Sequence, residues 1–563
     1  MRKGFRQSMA WLHAWSGLVV GWVLFAVFVT GTASYYRTEI SAWMRPELRR
    51  DAAFAPEAMA AAERGVAHLR IHAGEARAWF IGLPTTERPL IELFWRTGPG
   101  RPPGHVLLDP ETGAPSGVRD TRGGDFLYRF HFELNMPPLW GRWIVGLCAM
   151  IMLVALVSGI VTHRRIFADF FTFRRDKSAQ RGWLDAHNVT GVLALPFHLM
   201  ITYTGVVTLM LMYVPWGVNT AYKGDAQRFF AESGQITAPR QPTGRPGTLA
   251  PVGPMVLRAM ETVPEPLERL SVVNPKDANA SVVAVFEEPH GLSHEHPQVA
   301  FDGTTGEVVE IRAGGLKPAS KTFTAMVGLH EAHFAGAILR LLFFLCGLAG
   351  CAMVATGLVL WTVARAPKTG ARPGLGLRLV QGLNVATVAG LPAAVAAYFL
   401  ANRLLPVGLA ERGAWEVWAF FAVWLLVGLV APFRPQKRAW PEMLSAAAIL
   451  YAAVCAADVV RIVREGPAPV ETLFLAFDAS MLALSALLLV AARKAALYDG
   501  LPRRKEARRA AAGAGPLRGA GARRVSGFDG SEQAVPSNPY PGQTMVEIAP
   551  GGCARRFASR LRP

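Results

Sequence analysis

Cysteine is scarce and unpatterned in this chain. Five occur in 563 residues, at Cys148, Cys346, Cys351, Cys455 and Cys553, with no CxxC and no metal-ligand spacing. That excludes a disulfide framework and a thiolate metal site, and all but Cys553 sit in or beside apolar runs, as packing residues do. No GxGxxG follows a strand pattern and no flavin fingerprint is evident, so the chain is expected to lack a nicotinamide or flavin site of its own. Acidic residues are few: 41 Asp and Glu stand against 59 Lys and Arg, a formal net charge of +18. A nucleic-acid partner is still excluded, because the basic residues cluster in short connectors between apolar runs. No clear small-residue cleavage site follows the first apolar run, which is too long for a signal-peptide core and is expected to remain as a first span.

What the chain has in quantity is apolar length. It is 51% apolar, and several runs reach about 20 residues, the length that crosses a bilayer. The reading is an all-α polytopic bundle in a lipid bilayer, with about eight spans near 11–36, 139–163, 186–214, 336–363, 379–401, 414–433, 440–462 and 471–492. Arg2, Lys3 and Arg6 before the first span place the N-terminus in the cytoplasm, and the short basic connectors agree with that orientation. Residues 1–36 form the N-terminus and first span, and 37–138 a first small α+β external module. Residues 139–214 hold the second and third spans with their basic cytoplasmic loop, and 215–335 form a second external module. Span 336–363 follows, then a membrane extension at 379–492. The basic tail at 503–563, rich in Arg, Gly, Ala and Ser, is expected to be disordered on the cytoplasmic side. Within each module, a helix (56–70 and 251–263) precedes short strands at 77–83, 90–96 and 105–109, and at 269–274, 281–287 and 298–301.

The third span carries the sharpest signal, DAHNVTGVLALPFHLMITYTG at 185–205. His187 and His198 are eleven residues apart, so both rings leave one face of the helix, about 16 Å apart along its axis. Packing histidines are one reading of them, and ligands to stacked haems are the other.

An internal duplication sharpens the choice. His13, Ser16, Gly17 and Thr30-Gly31 recur at one constant offset as His187, Thr190, Gly191 and Thr204-Gly205. HVLLDPETG at 105–113 answers QVAFDGTTG at 298–306. His131 answers His330, Arg142 answers Arg340, and Ser158-Gly159-Ile160-Val161 answers Thr356-Gly357-Leu358-Val359. The unit of span, module, span is thus used twice in one orientation, which predicts a pseudo-twofold axis along the membrane normal. Such an axis brings His13 to His187 at the cytoplasmic end and His131 to His330 at the external end. Neutral imidazoles in facing pairs suit bis-histidine ligation of two b-type haems. His163, His198 and His333 have no counterpart in the repeat: His163 is a further candidate for the inner haem, His198 and His333 for the outer one. Arg142 and Arg340 are candidates for haem propionate or substrate contacts.

LHAWSGL, DAHNVTG, FHFEL, LHEAHFAG, SGIV, TGLVLW, DPETG and DGTTG stand in an order that resembles the PepSY-associated transmembrane family, over about residues 1–365. That family includes iron-regulated inner-membrane proteins of Gram-negative bacteria and FoxB-type ferric-siderophore reductases. The resemblance implies two periplasmic PepSY-like modules, bound haem b and electron delivery to a ferric siderophore. The electron donor would be a cytoplasmic reductant or membrane quinol, and Fe(II) would be released in the periplasm for iron acquisition. Three rivals stand beside this reading. One is a siderophore or iron permease without redox chemistry, one is a non-catalytic binding protein, since PepSY modules in other contexts are associated with peptidase regulation, and one is a haem b quinol oxidoreductase with another acceptor.

Overall fold

The computed structural model describes residues 4–48, 57–85, 88–98, 101–162, 179–237, 240–366, 373–465 and 472–497. His163, its basic connector and the 503–563 tail lie outside the described residues.

The first half begins with α1 (Phe5–Ser34), α2 (Arg37–Trp43) and α3 (Ala58–His72). Three strands follow, β1 (Ala78–Gly82), β2 (Ile91–Arg96) and β3 (Gly104–Leu108), then α4 (Gly123–Glu133) and α5 (Pro138–Thr162). Next come α6 (Ala179–Leu193), α7 (Leu195–Thr208) and three short helices, α8 (Met210–Tyr213), α9 (Trp216–Tyr222) and α10 (Ala226–Glu232). After α11 (Val252–Thr262) the chain forms β4 (Leu267–Val273), β5 (Ser281–Phe286), β6 (Gln298–Asp302) and β7 (Val308–Arg312). It continues as α12 (Pro318–Glu331) and α13 (Ala337–Ala364). The extension is α14 (Leu375–Val388), α15 (Gly390–Leu404), α16 (Arg412–Val430), α17 (Gln436–Glu465) and α18 (Thr472–Ala496).

Among the described residues, seven helices are long and apolar enough to cross a membrane, with α14 and α15 together making one of them, and eight spans result if α6 and α7 count as one. The protein is therefore a multi-pass membrane protein. The expected continuous third span is corrected: α6 and α7 are bent by 69° at Ala194. Pro196 stands in the first turn of α7. It has no N–H for the carbonyl a turn earlier, and its ring collides with that carbonyl, so the helix breaks. His187 and His198 consequently lie on two differently directed helices.

The two stretches between spans build a single sheet. Its seven antiparallel strands run β3-β2-β1-β4-β5-β6-β7. The seam is β1 against β4, with Phe80 opposite Ser271. Outward from that seam each side reads first, second, third strand, and α3 and α11, the helices preceding β1 and β4, pack on each other. One apolar core serves both stretches, joining Leu69, Ile81 and Leu93 to Val256, Leu270 and Phe286. Strand β7 was not expected from the sequence; it is an edge strand whose Val309 and Ile311 are about half exposed.

Around the spans, α1 packs on α5, α13 and α4, while α13 packs on α6 and α12 on α7. The α14–α15 span is the most enclosed, with 78% of its apolar window buried against 6–44% for the others. A single core runs from Leu24 and Phe25 of α1 through Leu391 and Tyr398 to Phe420 and Tyr451 of the extension.

Candidate functional site

Histidines 13 and 187 face each other with ring centroids 6.1 Å apart, and so do histidines 131 and 330, also at 6.1 Å. The first pair lies at the start of α1 and in α6; the second sits at the ends of α4 and α12. His131 packs at the level of Val27 on α1, 14 residues beyond His13, or about 21 Å along that helix at ~1.5 Å per residue.

Three of the four rings are held the same way, and the fourth by a hydroxyl. His13 Nδ1 lies 2.8 Å from the Ala155 carbonyl, and His187 Nδ1 lies 2.9 Å from the Met353 carbonyl. His131 Nδ1 lies 2.8 Å from the Val27 carbonyl, and Thr204 Oγ1 lies 3.1 Å from His330 Nδ1, with the matching backbone of Ile201 beside that ring. A carbonyl has no proton to give, so in His13, His187 and His131 Nδ1 carries the hydrogen and the neutral ring has its basic lone pair on Nε2. A metal-ligating histidine is oriented in the same manner, through a bond from its other nitrogen. Ala155 and Met353 are equivalent positions of the sequence repeat, as are Val27 and Ile201.

Glycines make the room. A Cβ on Gly31 would stand 2.6 Å from the His131 ring, and one on Gly205 2.9 Å from the His330 ring. At Gly159 and Gly357 the corresponding distances to His13 and His187 are both 3.1 Å. One turn beyond His13, a Cβ on Gly17 would meet nothing within 4 Å, so there is open space beside that pair. The spacing also fits a metal. Two nitrogens at about 2.0–2.1 Å from one ion, with each ring centre about 1.1 Å further out, put the centroids about 6.2–6.4 Å apart.

The turns after the outer histidines are tight. Leu134 and Asn135 follow α4 at φ of 53° and 54°, and Ala332 follows α12 at φ of 60°. These left-handed residues fold α4 and α12 back beside the spans, and so bring His131 and His330 against α1 and α7.

The remaining candidates part ways. His198 is fully buried between Phe28 and Phe197, near Gly350, with the backbone of Cys346 and Gly191 beside its ring. Its position in the repeat is matched by Leu24, so no second histidine faces it. Arg142 binds Glu133 at 2.6 Å and Arg340 binds Glu39 at 2.5 Å, yet the Nε of each is buried with no partner. His333 lies outside both pairs, in a separate group with Glu288 and His294 on the sheet side. Sequence reasoning missed His294, His296 and Glu288; the His-x-His of Ser293–Pro297 was the available signal.

The extension supplies no histidine but braces the outer pair. Phe126 and Phe130 of α4 pack on Tyr398 and Phe420, and the Tyr398 hydroxyl donates to the Gly123 carbonyl at 2.8 Å. Arg403 lies over the Trp43 ring at 3.5 Å and donates to the Trp43 carbonyl. Arg403 and Arg461 both bind Asp458 at 2.9 Å, so that buried carboxylate is an ion-pair partner.

Two comparisons with known proteins bear on the site. The model of the PepSY-associated TM region matches residues 10–364. An uncharacterized protein of Pseudomonas aeruginosa is 30% identical over 346 residues, which are 56% of this chain and 81% of that protein.

Proposed function

This chain belongs to the PepSY-associated TM family, and on that premise we propose that it is a di-haem b protein that carries electrons across the bacterial inner membrane to ferric siderophores in the periplasm. The observation that carries the proposal is the pair of histidine pairs, each spaced at 6.1 Å, with the Nδ1 of His13, His187 and His131 on a backbone carbonyl and that of His330 beside the Thr204 hydroxyl. Bound there, haem b supplies one-electron carriers at two depths of the membrane.

The chain's own groups do the rest. His13 and His187 hold the inner carrier, where a cytoplasmic reductant or membrane quinol has access. His131 and His330 hold the outer one, on the periplasmic side. The parallel repeat sets both pairs across one pseudo-twofold axis. The buried Nε–H groups of Arg142 and Arg340 offer donors to propionates at the outer level. One electron converts Fe(III) in the siderophore to Fe(II). The oxygen ligands of a siderophore hold the harder ferric ion more tightly, so reduction favours release.

The test is an absorption spectrum of the detergent-purified full chain, oxidised and then dithionite-reduced, with a pyridine haemochrome count. Two b-type haems per chain, reoxidised when a ferric siderophore is added, are the expected result. A folded preparation from haem-replete cells that contains no haem overturns the proposal. Haem that is not reoxidised by ferric siderophores removes the acceptor and keeps the electron-transfer protein.

A further inference from the structure

Three imidazoles outside both haem pairs converge on one carboxylate oxygen. Glu288 follows β5, His294 and His296 lie in the loop before β6, and His333 lies in the turn between α12 and α13. His294 Nδ1 contacts Glu288 Oε1; His333 Nδ1 is 3.2 Å from that oxygen and His296 Nε2 is 3.3 Å from it. One ligand atom from each of Glu288, His294 and His333 lies within 4.8 Å of the other two.

We propose that Glu288, His294 and His333 bind a first-row divalent transition cation, and, resting on the reductase reading above, that the ion taken in the cell is Fe(II) produced by that reduction. Two imidazoles and one carboxylate with open positions form a donor set that suits Fe(II), and also Zn(II). Ligand atoms at about 2.1 Å from one ion stand about 3.0–3.4 Å apart, so the Glu288–His333 separation of 3.2 Å already matches.

The ligands are held from behind. His333 Nε2 is 3.3 Å from Glu331 Oε2, the outer carboxylate that orients a metal-bound histidine. His296 is fixed by its Nδ1 donating to the Phe286 carbonyl at 2.9 Å, which leaves Nε2 as a fourth donor toward the same oxygen. The loop is pinned to α12: His294 N donates to the Thr324 carbonyl at 3.0 Å, and Ser293 Oγ bonds Thr324 Oγ1 at 2.6 Å. Gly328 permits that approach, since a Cβ there would stand 2.0 Å from the Leu292 carbonyl oxygen. The site is reachable, with His333 half exposed and the Glu288 side chain 15% exposed. It is also near the outer pair. His333 is three residues from His330, which bounds their Cα separation at about 11 Å from ~3.8 Å per step.

The experiment uses the full, untagged chain in detergent, dialysed to equilibrium against Zn2+ and, without oxygen, against Fe2+. Metal is counted by mass spectrometry and haem iron is counted separately. One equivalent of non-haem metal per chain is expected with either ion. H294A/H333A should lose that equivalent, and E288Q should bind at least about tenfold more weakly, the loss typical when a metal site is disturbed. H294Q/H333Q keeps the result readable if the alanine pair does not fold. Wild-type protein without the extra equivalent, or both histidine double variants retaining it, overturns the site. Zn2+ bound without Fe2+ overturns the assignment to Fe(II). A haem-free chain that still binds the equivalent overturns the reductase reading and leaves the site standing.

Discussion

At the scale of single residues, the outer histidine pair depends on what is missing beside it. Gly31 and Gly205 leave space where a side chain would strike His131 and His330. Gly31→Leu should therefore displace His131 and, on the di-haem proposal, lower the haem count from two per chain to one, measured by pyridine haemochrome. His13→Ala should also remove one haem, the inner one, and the double variant both. Asp277 makes a second residue-scale case, in the module outside the membrane. Its carboxylate accepts from Thr243 N, Gly244 N, Asn279 N and the Thr243 hydroxyl at 2.7–3.0 Å. Those bonds to the charged form hold its pKa down at about 2, from 3.8. A depressed carboxylate stabilises the fold above its unfolded pKa and ceases to do so as pH falls through the folded value. Asp277→Asn should lower the melting temperature at pH 7, and the difference from wild type should shrink between pH 4 and pH 2. The histidine pairs were legible because the repeat aligned them, whereas Glu288 and His294 were not: their partner His333 is 45 and 39 residues away, and only folding joins them.

At the scale of elements, α4 is the part on which most depends. It carries His131 on one face and packs Phe126 and Phe130 on the extension with the other. Phe420 is fully buried in that contact. Phe420→Ala should cost about 3–5 kcal/mol, as a buried aromatic truncation does, and should loosen the outer haem before the inner one. Redox titration of the two haems separately reads that difference. The extension is locked on by charges as well. Arg412 and Glu416 are buried together, and Arg412 also donates to the Asp120 carbonyl at 3.1 Å. Glu416→Ala leaves a buried cation alone, and a loss of about 3–5 kcal/mol in unfolding measurements is expected. The sequence marked 379–401 and 414–433 as spans, and helices lie there, but not what they touch. Spans read from hydropathy carry no information on neighbours, because lipid and protein are alike apolar. The break between α6 and α7 was signalled by Pro196, yet apolar length outweighed it in a reading based on hydropathy.

At the scale of the whole molecule, each stretch between spans was legible as a helix followed by three strands, and those six strands fall where alternation placed them, while β7 was missed. Their union in one sheet was not legible. Strand pairing across about 190 residues, from β1 to β4, leaves no local pattern. The seam has a consequence for ancestry. Pairs Ala78–Val273, Phe80–Ser271 and Gly82–Arg269 join the first strand of one stretch to the first strand of the other, antiparallel, which is how two copies of one strand meet across a twofold axis. A half-chain alone would present that strand as an open edge, with unpaired amides ready for a second copy. The seam is thus what a homodimer interface becomes when two genes are joined: the partner is supplied by the same polypeptide, and the two halves are free to diverge. Divergence is visible in the second half, where Glu288, His294 and His333 gather on loops and a turn whose first-half counterparts hold no such cluster among the described residues.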